Sequence, residues 1–201
     1  MILAAGASTR LGRPKQLLPL AGKPVLQHVL DAAAGSPVDD IILVLGHLAP
    51  DIEEAVRLPA NARLTVNPDF PDGLASSLRM GLAAAGSSGA AAVLLGDQPG
   101  IRADVIARLV DAWRTGQGPV VQAVYRGRPG HPTMFDRSLW GDLRLVEGDE
   151  GARWLLARNP QWVVRIEVGG EPPVDIDTDA DYAKIRSSFA RSSGSGPPSD
   201  P

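Results

Sequence analysis

The chain opens with the stretch that decides its fold, Met1-Ile-Leu-Ala-Ala-Gly6-Ala-Ser8-Thr-Arg10-Leu-Gly12-Arg13-Pro-Lys15-Gln-Leu-Leu-Pro-Leu20. Residues 2–5 form a short apolar run that predicts a buried strand, and Gly6 ends it. A loop of small and basic residues follows. Small residues let the backbone approach a ligand closely, and successive backbone N–H groups in such a turn bind anions. The stretch therefore predicts a strand followed by an anion-binding loop.

The basic side chains of this loop, Arg10, Arg13 and Lys15, have no acidic neighbours, because residues 1–30 contain neither Asp nor Glu. Arginine can bind phosphate through two parallel hydrogen bonds, and lysine supplies a movable point charge. A solvated basic loop is the alternative interpretation. It would not explain why the glycines and bases follow a strand directly, as they do in phosphate-binding βα turns. We therefore predict that the loop binds phosphate.

The loop matches neither the Walker A pattern nor the G-x-G-x-x-G dinucleotide pattern. It resembles the nucleotidyltransferase signature L-x-x-G-x-S/G-x-R-x-G-x-x-K, with matches at Leu3, Gly6, Ser8, Arg10, Gly12 and Lys15. The form Leu3-Ala-Ala-Gly6, followed by Lys15-Gln-Leu-Leu-Pro-Leu20, is similar to the molybdenum cofactor cytidylyltransferase branch of the MobA-like NTP transferase family. The resemblance extends over nearly the whole chain and is more specific for the reaction class than for the substrate.

Composition excludes several classes of protein. The 201 residues, 44 % of them hydrophobic, suit one globular domain, and the absence of cysteine excludes disulfides and thiol chemistry. A net charge of −3 argues against a nucleic-acid-binding face. No apolar run is long enough for a membrane helix, and the apolar run at residues 2–5 is too short for a signal peptide. We expect a cytoplasmic protein with no nucleic-acid or membrane partner.

Helical and strand patterns alternate along the chain. Helical spacing of apolar residues predicts helices around residues 24–35, 52–56, 74–82, 105–113, 151–156 and 179–185. Short apolar segments, of which residues 41–45 are a continuous aliphatic run, predict strands at residues 2–5, 41–45, 62–66, 90–95, 120–124, 163–168 and 174–176, with a loop at 126–132. This order predicts one α/β domain over residues 1–190, a three-layer α/β/α structure with a mostly parallel mixed sheet. Residues 191–201, rich in Ser, Gly and Pro, are expected to form a disordered tail.

The resemblance specifies the fold further. It implies a Rossmann-like fold of the nucleotide-diphospho-sugar transferase type, which is also called GT-A-like.

The segment 67–78 is a loop that enters a helix and carries several small polar residues. Asn67 and Gly73 can present polar groups and bare backbone to a nucleobase, and Ser76 and Ser77 fall in the first helical turn. A long loop with Asp72 as a helix cap is the alternative. The segment is similar to the second nucleotide-contacting segment of the family, which favours binding.

Carboxylates at two places are candidates for a metal site. Asp97 follows a buried strand in Gly96-Asp97-Gln98-Pro99, and open α/β sheets bind ligands at that end of their strands. Asp175 and Asp177 are two residues apart, so in a strand they would share one face. Mg²⁺ prefers one or two carboxylates together with phosphate oxygens. Gly96-Asp97-Gln98-Pro99 and Asp175-Ile-Asp-Thr178 resemble the metal-binding segments of the family, and either Asp175 or Asp177 can be the second ligand.

Two further segments, Gly130-His131-Pro132 and Gly148-Asp149-Glu150-Gly151-Ala152-Arg153, also resemble the family, on the side of the cleft that holds the acceptor. They imply His131 and Asp149 as weaker candidates for binding the acceptor. Gln98, which follows Asp97 in the predicted metal-binding segment, is a third such candidate. For His131 alone, a hydrogen-bonded loop histidine is the alternative interpretation.

The resemblance implies a nucleotidyltransferase that uses Mg²⁺, or alternatively Mn²⁺. Arg10 would bind the triphosphate, Lys15 the α-phosphate, and Asp97 the metal. The implied nucleotide-binding residues are Leu3, Ala4, Ala5, Gly6, Ser8, Arg10, Lys15, Asn67, Gly73, Ser76, Ser77 and Asp97. The implied reaction transfers CMP from CTP to the phosphate of molybdopterin and releases pyrophosphate, with a molybdenum enzyme or its chaperone as a transient partner.

Two alternatives stay open at this point. One is transfer to a sugar- or alcohol-phosphate, or from GTP. The other is a non-catalytic protein that binds and delivers a nucleotide or molybdopterin. Such a carrier would not need the Lys15–Asp97 pair, so the presence of both residues disfavours it.

Overall fold

The strands and helices of the computed structural model follow the alternation in the sequence, and the model describes residues 1–149 and 151–193. The strands are β1 (Ile2–Leu3), β2 (Pro19–Leu20), β3 (Lys23–Pro24), β4 (Ile41–Leu45), β5 (Ala62–Val66), β6 (Ala90–Leu95), β7 (Val120–Tyr125), β8 (Arg128–Asp136) and β9 (Val163–Glu167). The helices are α1 (Val25–Ala34), α2 (Ala49–Ala55), α3 (Leu74–Ala84), α4 (Ala103–Arg114), α5 (Trp140–Leu143), α6 (Arg153–Arg158) and α7 (Asp179–Ser193).

The main sheet has seven strands in the order β5-β4-β1-β6-β8-β7-β9. All of its strands run in one direction except β8, which is antiparallel to both β6 and β7. The chain builds outward from β1 through β4 to β5 and then returns to add β6 on the other side of β1. In open α/β sheets, ligands bind where the strand order reverses in this way. The topology confirms the predicted mostly parallel mixed sheet.

Apolar clusters cover both faces of the sheet and complete the three layers. One cluster packs α1 and α4 against one face, with Leu26, Leu30, Ile106 and Leu109 fully buried. The other packs α3 against the opposite face through Leu78 and Leu82. Every residue of β4 is buried, which explains its uninterrupted aliphatic sequence.

Two sequence-based expectations about secondary structure were wrong, and one helix was missed. Residues 126–132, expected as a loop, include the start of β8, which follows β7 after a tight turn and pairs with it along its length. Residues 174–176, expected as a strand, have no regular secondary structure. The short helix α5 was not predicted. Gly and Pro in 126–132 suggested a loop, but β8 contains Pro129, Gly130 and Pro132, and cross-strand pairing overrides their low strand propensity.

A third apolar cluster joins the loop after β1 to the segment around α7. Leu18, Leu20 and Val25 pack with Ile176, Tyr182 and Ile185. The Tyr182 hydroxyl donates a hydrogen bond to the Pro19 carbonyl oxygen. The segment before α7 and the helix itself therefore support the loop that follows β1.

Helix α7 continues through residue 193, so residues 191–193 of the expected tail are helical. Residues 194–201 lie outside the described part of the chain, and the disordered tail stays a prediction for them. No helix in the described part has both the length and the apolar character needed to cross a membrane.

Candidate active site

The loops after the parallel strands meet at the carboxyl edge of the sheet, because parallel strands end at the same edge. There they enclose a cleft of about 190 Å³ between the loop after β1, the start of α3 and the end of β6. Most of the predicted nucleotide-binding residues line this cleft. The lining consists of Leu3, Ala4, Ala5, Gly6, Lys15, Gln16, Phe70, Gly73, Leu74, Ser77, Leu95, Asp97 and Asp149.

Hydrogen bonds to the carbonyl and hydroxyl oxygens of Ser8 fix the conformation of the loop after β1. Ser8 and Gly12 have left-handed backbone conformations, with φ of 55° and 68°. The Ser8 hydroxyl oxygen accepts a hydrogen bond from the backbone N–H of Lys15 at 3.1 Å. Ser8 therefore shapes the loop and does not line the cleft.

Gln16 fixes the other side of the loop. Its side chain is 2 % exposed, and its amide donates hydrogen bonds to the carbonyl oxygens of Ala4 at 3.0 Å and Gly6 at 3.1 Å. These bonds tie the loop to the end of β1. Sequence analysis gave Gln16 no role, although it lies in the motif that follows Lys15.

Lys15 is the centre of charge in the cleft. Its ammonium nitrogen lies 2.5 Å from Oδ2 of Asp97 and 3.0 Å from Oδ1 of Asp177. The side chains of Lys15 and Asp97 are only 16 % and 14 % exposed. The structure therefore brings together the two residues on which the predicted chemistry depends. Lys15 follows β1 and Asp97 follows β6, the two neighbouring strands between which the strand order reverses.

The pKa values of this pair follow from burial and charge. Burial disfavours the charged form of Lys15, but the carboxylates of Asp97 and Asp177 outweigh it and raise the pKa of the ammonium group. Burial also raises the pKa of Asp97, and the nearby charge of Asp175 adds to the increase while Lys15 opposes it. Lys15 therefore keeps its proton at neutral pH, and burial makes the charged form of Asp97 costly without a neighbouring cation.

The other basic residues of the loop also meet carboxylates from the segment around α7. Arg10 is exposed and pairs with Oδ2 of Asp177 at 3.0 Å, and Arg13 pairs with Asp179 at 2.5 Å. Asp177 thus contacts Lys15 and Arg10 through its two oxygens. The local excess of positive charge seen in the sequence is balanced by residues more than 160 positions away.

Asp175 and Asp177 reach the cleft in a way that differs from the expected shared strand face. The backbone N–H of Ile176 donates to the carbonyl oxygen of Asp97 at 3.3 Å, which brings this segment to the end of β6. Asp175 accepts a hydrogen bond from the side chain of Gln98 at 2.7 Å, whereas Asp177 faces Lys15. Gln98 is 4 % exposed, and neither Gln98 nor Asp175 lines the cleft.

The carboxylates do not form a preassembled metal site. Among the described residues, no group of three or more His, Asp or Glu side chains is arranged to hold a metal ion. Asp97 and Asp177 nevertheless converge on one cation, the ammonium of Lys15. Two carboxylates suit Mg²⁺ or Mn²⁺ only when substrate phosphates and water complete the ligands, so the donor set fits a metal that binds with a nucleotide.

Asn67, Ser76 and Ser77 form a buried hydrogen-bonded group below the cleft. The Asn67 amide donates to both hydroxyl oxygens, at 2.8 Å to Ser76 and 3.1 Å to Ser77. All three residues are at most 4 % exposed. Ser77 lines the cleft, but Asn67 and Ser76 do not. The group fixes the loop that carries Phe70 and Gly73, so Asn67 and Ser76 shape this side of the cleft.

Gly73 and Asp149 meet where the cleft is narrow. Gly73 has φ of 93°, and a Cβ atom there would lie 2.6 Å from Oδ1 of Asp149 and 2.7 Å from the Gly148 carbonyl carbon. The same carboxylate oxygen accepts a hydrogen bond from the backbone N–H of Leu74 at 3.3 Å. This contact positions Asp149 at the border of the cleft.

We expect Gly73→Ala to lower the free energy of unfolding by about 2–4 kcal/mol, because backbone strain and a steric clash act together. The control is Gly116→Ala, which also has a positive φ, of 69°, but open space around the new methyl group. That variant should lose only about 1 kcal/mol, from strain alone. Urea unfolding measures the loss of unfolding free energy for both variants. Equal losses would show that residues 148–149 move away from the new methyl group at no cost and would contradict the prediction.

A second, larger cavity of about 550 Å³ adjoins the cleft and contains His131 and Asp149, two of the predicted acceptor-side residues. Burial lowers the pKa of His131, and its Nδ1 lies 3.4 Å from the Val93 carbonyl oxygen. His131 is therefore neutral at pH 7. Gln122, Arg153 and Arg165 also line this cavity, and sequence analysis did not identify them. Arg153 ends the motif that begins at Gly148, but Gln122 and Arg165 gave no local signal.

The geometry agrees with comparisons to known proteins. A family model described as the MobA-like NTP transferase domain matches residues 1–163. Nicotine blue oxidoreductase of Paenarthrobacter nicotinovorans is 35 % identical over 191 residues, which cover 89 % of this chain and 91 % of that protein.

Two solved structures are similar over nearly their whole length. Rv0371c from Mycobacterium tuberculosis H37Rv, crystallised in complex with manganese, is 32 % identical, with a TM-score of 0.80 over 93 % of this chain and 96 % of that one. A nucleotidyl transferase from Methanothermobacter thermautotroptrophicus (Mth528) is 27 % identical, with a TM-score of 0.81 over 95 % and 96 %. The predicted nucleotide-diphospho-sugar transferase fold is confirmed, and the chain belongs to the MobA-like NTP transferase family.

Proposed function

We propose that the chain is a nucleotidyltransferase that transfers CMP from CTP to a phosphorylated acceptor, with the phosphate of molybdopterin as the acceptor and pyrophosphate as the second product. The observation that carries this proposal is the contact of Lys15 with Asp97 and Asp177 in a cleft formed by the loop after β1. The ammonium of Lys15 supplies a positive charge that can neutralise phosphate oxygens. The two carboxylates supply the negative charge that can hold a divalent cation.

In the proposed reaction, an oxygen of the acceptor phosphate attacks the α-phosphorus of the nucleotide. The bond from that phosphorus to the oxygen bridging to the β-phosphate breaks, and pyrophosphate leaves. The protein forms no covalent bond, so its contribution is positioning and charge neutralisation. Lys15 would stabilise the charge that develops on the α-phosphate, and Arg10, on the exposed side of the loop, would bind the triphosphate.

Asp97 and Asp177 would hold the divalent cation, either Mg²⁺ or Mn²⁺. Such a cation would neutralise phosphate oxygens and polarise the reacting phosphate. Three observations support this assignment: both carboxylates face the same point, Asp97 carries a charge that burial makes costly, and a 32 % identical relative was crystallised with manganese. Asp175, held by Gln98, would act from behind as a positioning residue.

The family relative from Paenarthrobacter nicotinovorans is named an oxidoreductase, which makes a redox reaction the main rival. A non-catalytic carrier for nucleotide or molybdopterin is the second rival. The carrier would not need Lys15 and Asp97 in contact at the cleft, which favours nucleotidyl transfer over the carrier. As a cytoplasmic enzyme of this kind, the protein would deliver its product to a molybdenum enzyme or its chaperone.

The decisive experiment is a matrix of CTP, GTP, ATP and UTP against molybdopterin, sugar phosphates and alcohol phosphates, with pyrophosphate release as the readout. A parallel assay follows the reduction of nicotine blue, the compound in that relative's name, by a reduced nicotinamide cofactor that is oxidised in the same step. We expect release only with CTP and molybdopterin in the presence of a divalent metal. Nicotinamide oxidation without pyrophosphate release would establish the redox rival, and binding without either reaction would establish the carrier.

We expect CTP to be preferred over GTP in kcat/KM, and Ala5→Gly to reduce this preference. Guanylyl-transferring relatives resemble this chain but have Leu-Ala-Gly-Gly where it has Leu3-Ala4-Ala5-Gly6. Ala5 is 4 % exposed and lines the cleft, so its methyl group narrows the space that a purine would need. The matched control is Ala157→Gly, which lies in the adjoining cavity and should leave the ratio unchanged. Equal kcat/KM values for the two nucleotides in the wild type would refute the assignment.

A further inference from the structure

The three basic side chains of the loop after β1 all contact carboxylates in this structure. Arg10 pairs with Asp177, and Arg13 pairs with Asp179 at 2.5 Å. Lys15 also contacts Asp177. These contacts occupy hydrogen-bond donors that a triphosphate would use under the proposed transfer reaction, on which this inference rests. A nucleotide must therefore replace carboxylates of the protein as it binds.

Arg13 has no role in the proposed reaction so far, although it lies between Arg10 and Lys15 in the sequence. Its Cα atom is at most about 7 Å from that of Lys15, because two residues of a fully extended chain span no more. The Arg13 guanidinium lies over the ring of Tyr182, 5.8 Å from the ring centre, and pairs with Asp179. It therefore points towards α7, although its backbone belongs to the loop that is proposed to bind phosphate.

The ion pair between Arg13 and Asp179 is easily broken. The two side chains are 51 % and 75 % exposed. Water can solvate either partner, and exposed ion pairs of this kind contribute little to stability. A phosphate group carries more negative charge than a carboxylate and also accepts two parallel hydrogen bonds from one guanidinium. A triphosphate bound at Lys15 would therefore compete effectively for Arg13.

The backbone of Asp179, in contrast, is anchored on both sides. Before it, Ile176 is fully buried in the third apolar cluster. After it, the Tyr182 hydroxyl donates a hydrogen bond to the Pro19 carbonyl oxygen. Asp179 is also the first residue of α7, where an acidic side chain stabilises a helix. The carboxylate therefore stays close to the loop when Arg13 leaves and can bind it again.

We propose that Arg13 is a phosphate-binding residue, that Asp179 holds it beside α7 until a nucleotide enters, and that Asp179 competes with pyrophosphate for it afterwards. The guanidinium would turn from Tyr182 to the phosphates that leave as pyrophosphate. Once the bond to the α-phosphorus has broken, Asp179 would bind Arg13 again and weaken the binding of the product. The carboxylate thus lowers the affinity of the site for nucleotide and favours the release of pyrophosphate.

The alternative is a surface ion pair that only attaches α7 to the loop. In that case Arg13→Gln and Asp179→Asn would both loosen the loop, and both would weaken phosphate binding. The proposal predicts effects of opposite sign, because Arg13→Gln removes a phosphate ligand whereas Asp179→Asn removes its competitor. Both variants keep Asp97 and Asp177, so neither loses a proposed metal ligand.

The test measures the binding of inorganic pyrophosphate and of CTP by calorimetry, with the full-length protein at one fixed Mg²⁺ concentration. Asp179→Asn should bind pyrophosphate about three- to fivefold more tightly than the wild type, the scale of one exposed ion pair. Arg13→Gln should bind it roughly tenfold more weakly, the scale of one hydrogen bond to a charged group. In the Arg13→Gln background, Asp179→Asn should have no effect, because the residue for which it competes is gone. CTP should follow the same order.

The matched controls are Arg102→Gln and Asp104→Asn, which break an exposed ion pair outside the cleft and should leave both affinities unchanged. Weaker or unchanged binding by Asp179→Asn, unchanged binding by Arg13→Gln, or no binding of pyrophosphate to the wild type at millimolar concentration would each overturn the proposal. So would a tightening by Asp179→Asn that persists in the double variant. The expected pattern without pyrophosphate release from any nucleotide would instead refute the transfer reaction and leave the assignment of Arg13 standing.

Discussion

Replacing Asp97 by Asn should lower kcat about 10³-fold or more while the protein stays folded, because the change removes a positioned charge from the reacting centre. Asn keeps the shape and one oxygen acceptor of the side chain. It loses the negative charge that faces Lys15 and would face the divalent metal. The fold should tolerate the change, since burial already penalises the charged form of Asp97 and Lys15 keeps Asp177 as a partner.

The measurement is metal-dependent pyrophosphate release, with thermal unfolding recorded for the same samples. Asp104→Asn is the matched control, because Asp104 pairs with Arg102 on the exposed surface and should matter to neither measurement. Asp177→Asn should reduce kcat more than Asp175→Asn, since only Asp177 contacts Lys15. Near-normal turnover of Asp97→Asn would contradict the proposed mechanism, and the reverse order for the other two would make Asp175 the second ligand.

Replacing Lys15 by Met should have two opposite effects. Turnover should fall by about 10²-fold or more, because the ammonium gains most where charge develops in the transition state. The nucleotide KM should change less. Binding of Mn²⁺ in the absence of nucleotide should become tighter than in the wild type, because Asp97 and Asp177 would still converge on a point that no longer contains a cation.

Electron paramagnetic resonance of free Mn²⁺ measures the second effect, and steady-state kinetics the first. Lys23→Met is the matched control, since Lys23 pairs with Asp31 at an exposed site away from the cleft. It should alter neither value. Normal kcat with a raised KM would mean that Lys15 contributes equally to ground state and transition state. Unchanged Mn²⁺ affinity would mean that the two carboxylates separate once the ammonium is gone.

The first half of the fold was predictable from sequence because its signals are local. The strands β4 and β6 are short aliphatic runs, β5 is a short segment in which apolar residues alternate with Arg63 and Thr65, and the observed bounds of all three match the predicted ones. Lys15 and Asp97 were identified for a similar reason, since each lies in a loop that follows a buried strand. The topology then brings them together, because β1 and β6 are neighbours in the sheet.

The second half was less predictable because distant partners decide it. β8 extends through Pro129 and Gly130 because β7 pairs with both of them, while β6 pairs with the second half of β8, at residues 133–136. The segment carrying Asp175 and Asp177 looked like a strand, but it pairs with no described strand of the sheet and instead contacts the residue that follows β6, through the hydrogen bond from Ile176 to Asp97. Gln122 and Arg165 line the larger cavity together only because β7 and β9 pair in the sheet. The two residues are far apart in the sequence, so no short motif contains both.

The ion pair between Lys15 and Asp177 joins residues 162 positions apart, and it has a consequence for synthesis on the ribosome. The loop after β1 emerges from the ribosome long before Asp177, Asp179 and the apolar residues of α7. Until those residues emerge, Lys15 can pair only with Asp97, Arg10 and Arg13 lack the carboxylates that they contact in the folded protein, and the loop lacks its apolar support. A nascent or prematurely terminated chain therefore carries an incomplete centre, and we expect turnover to begin only when synthesis has passed α7.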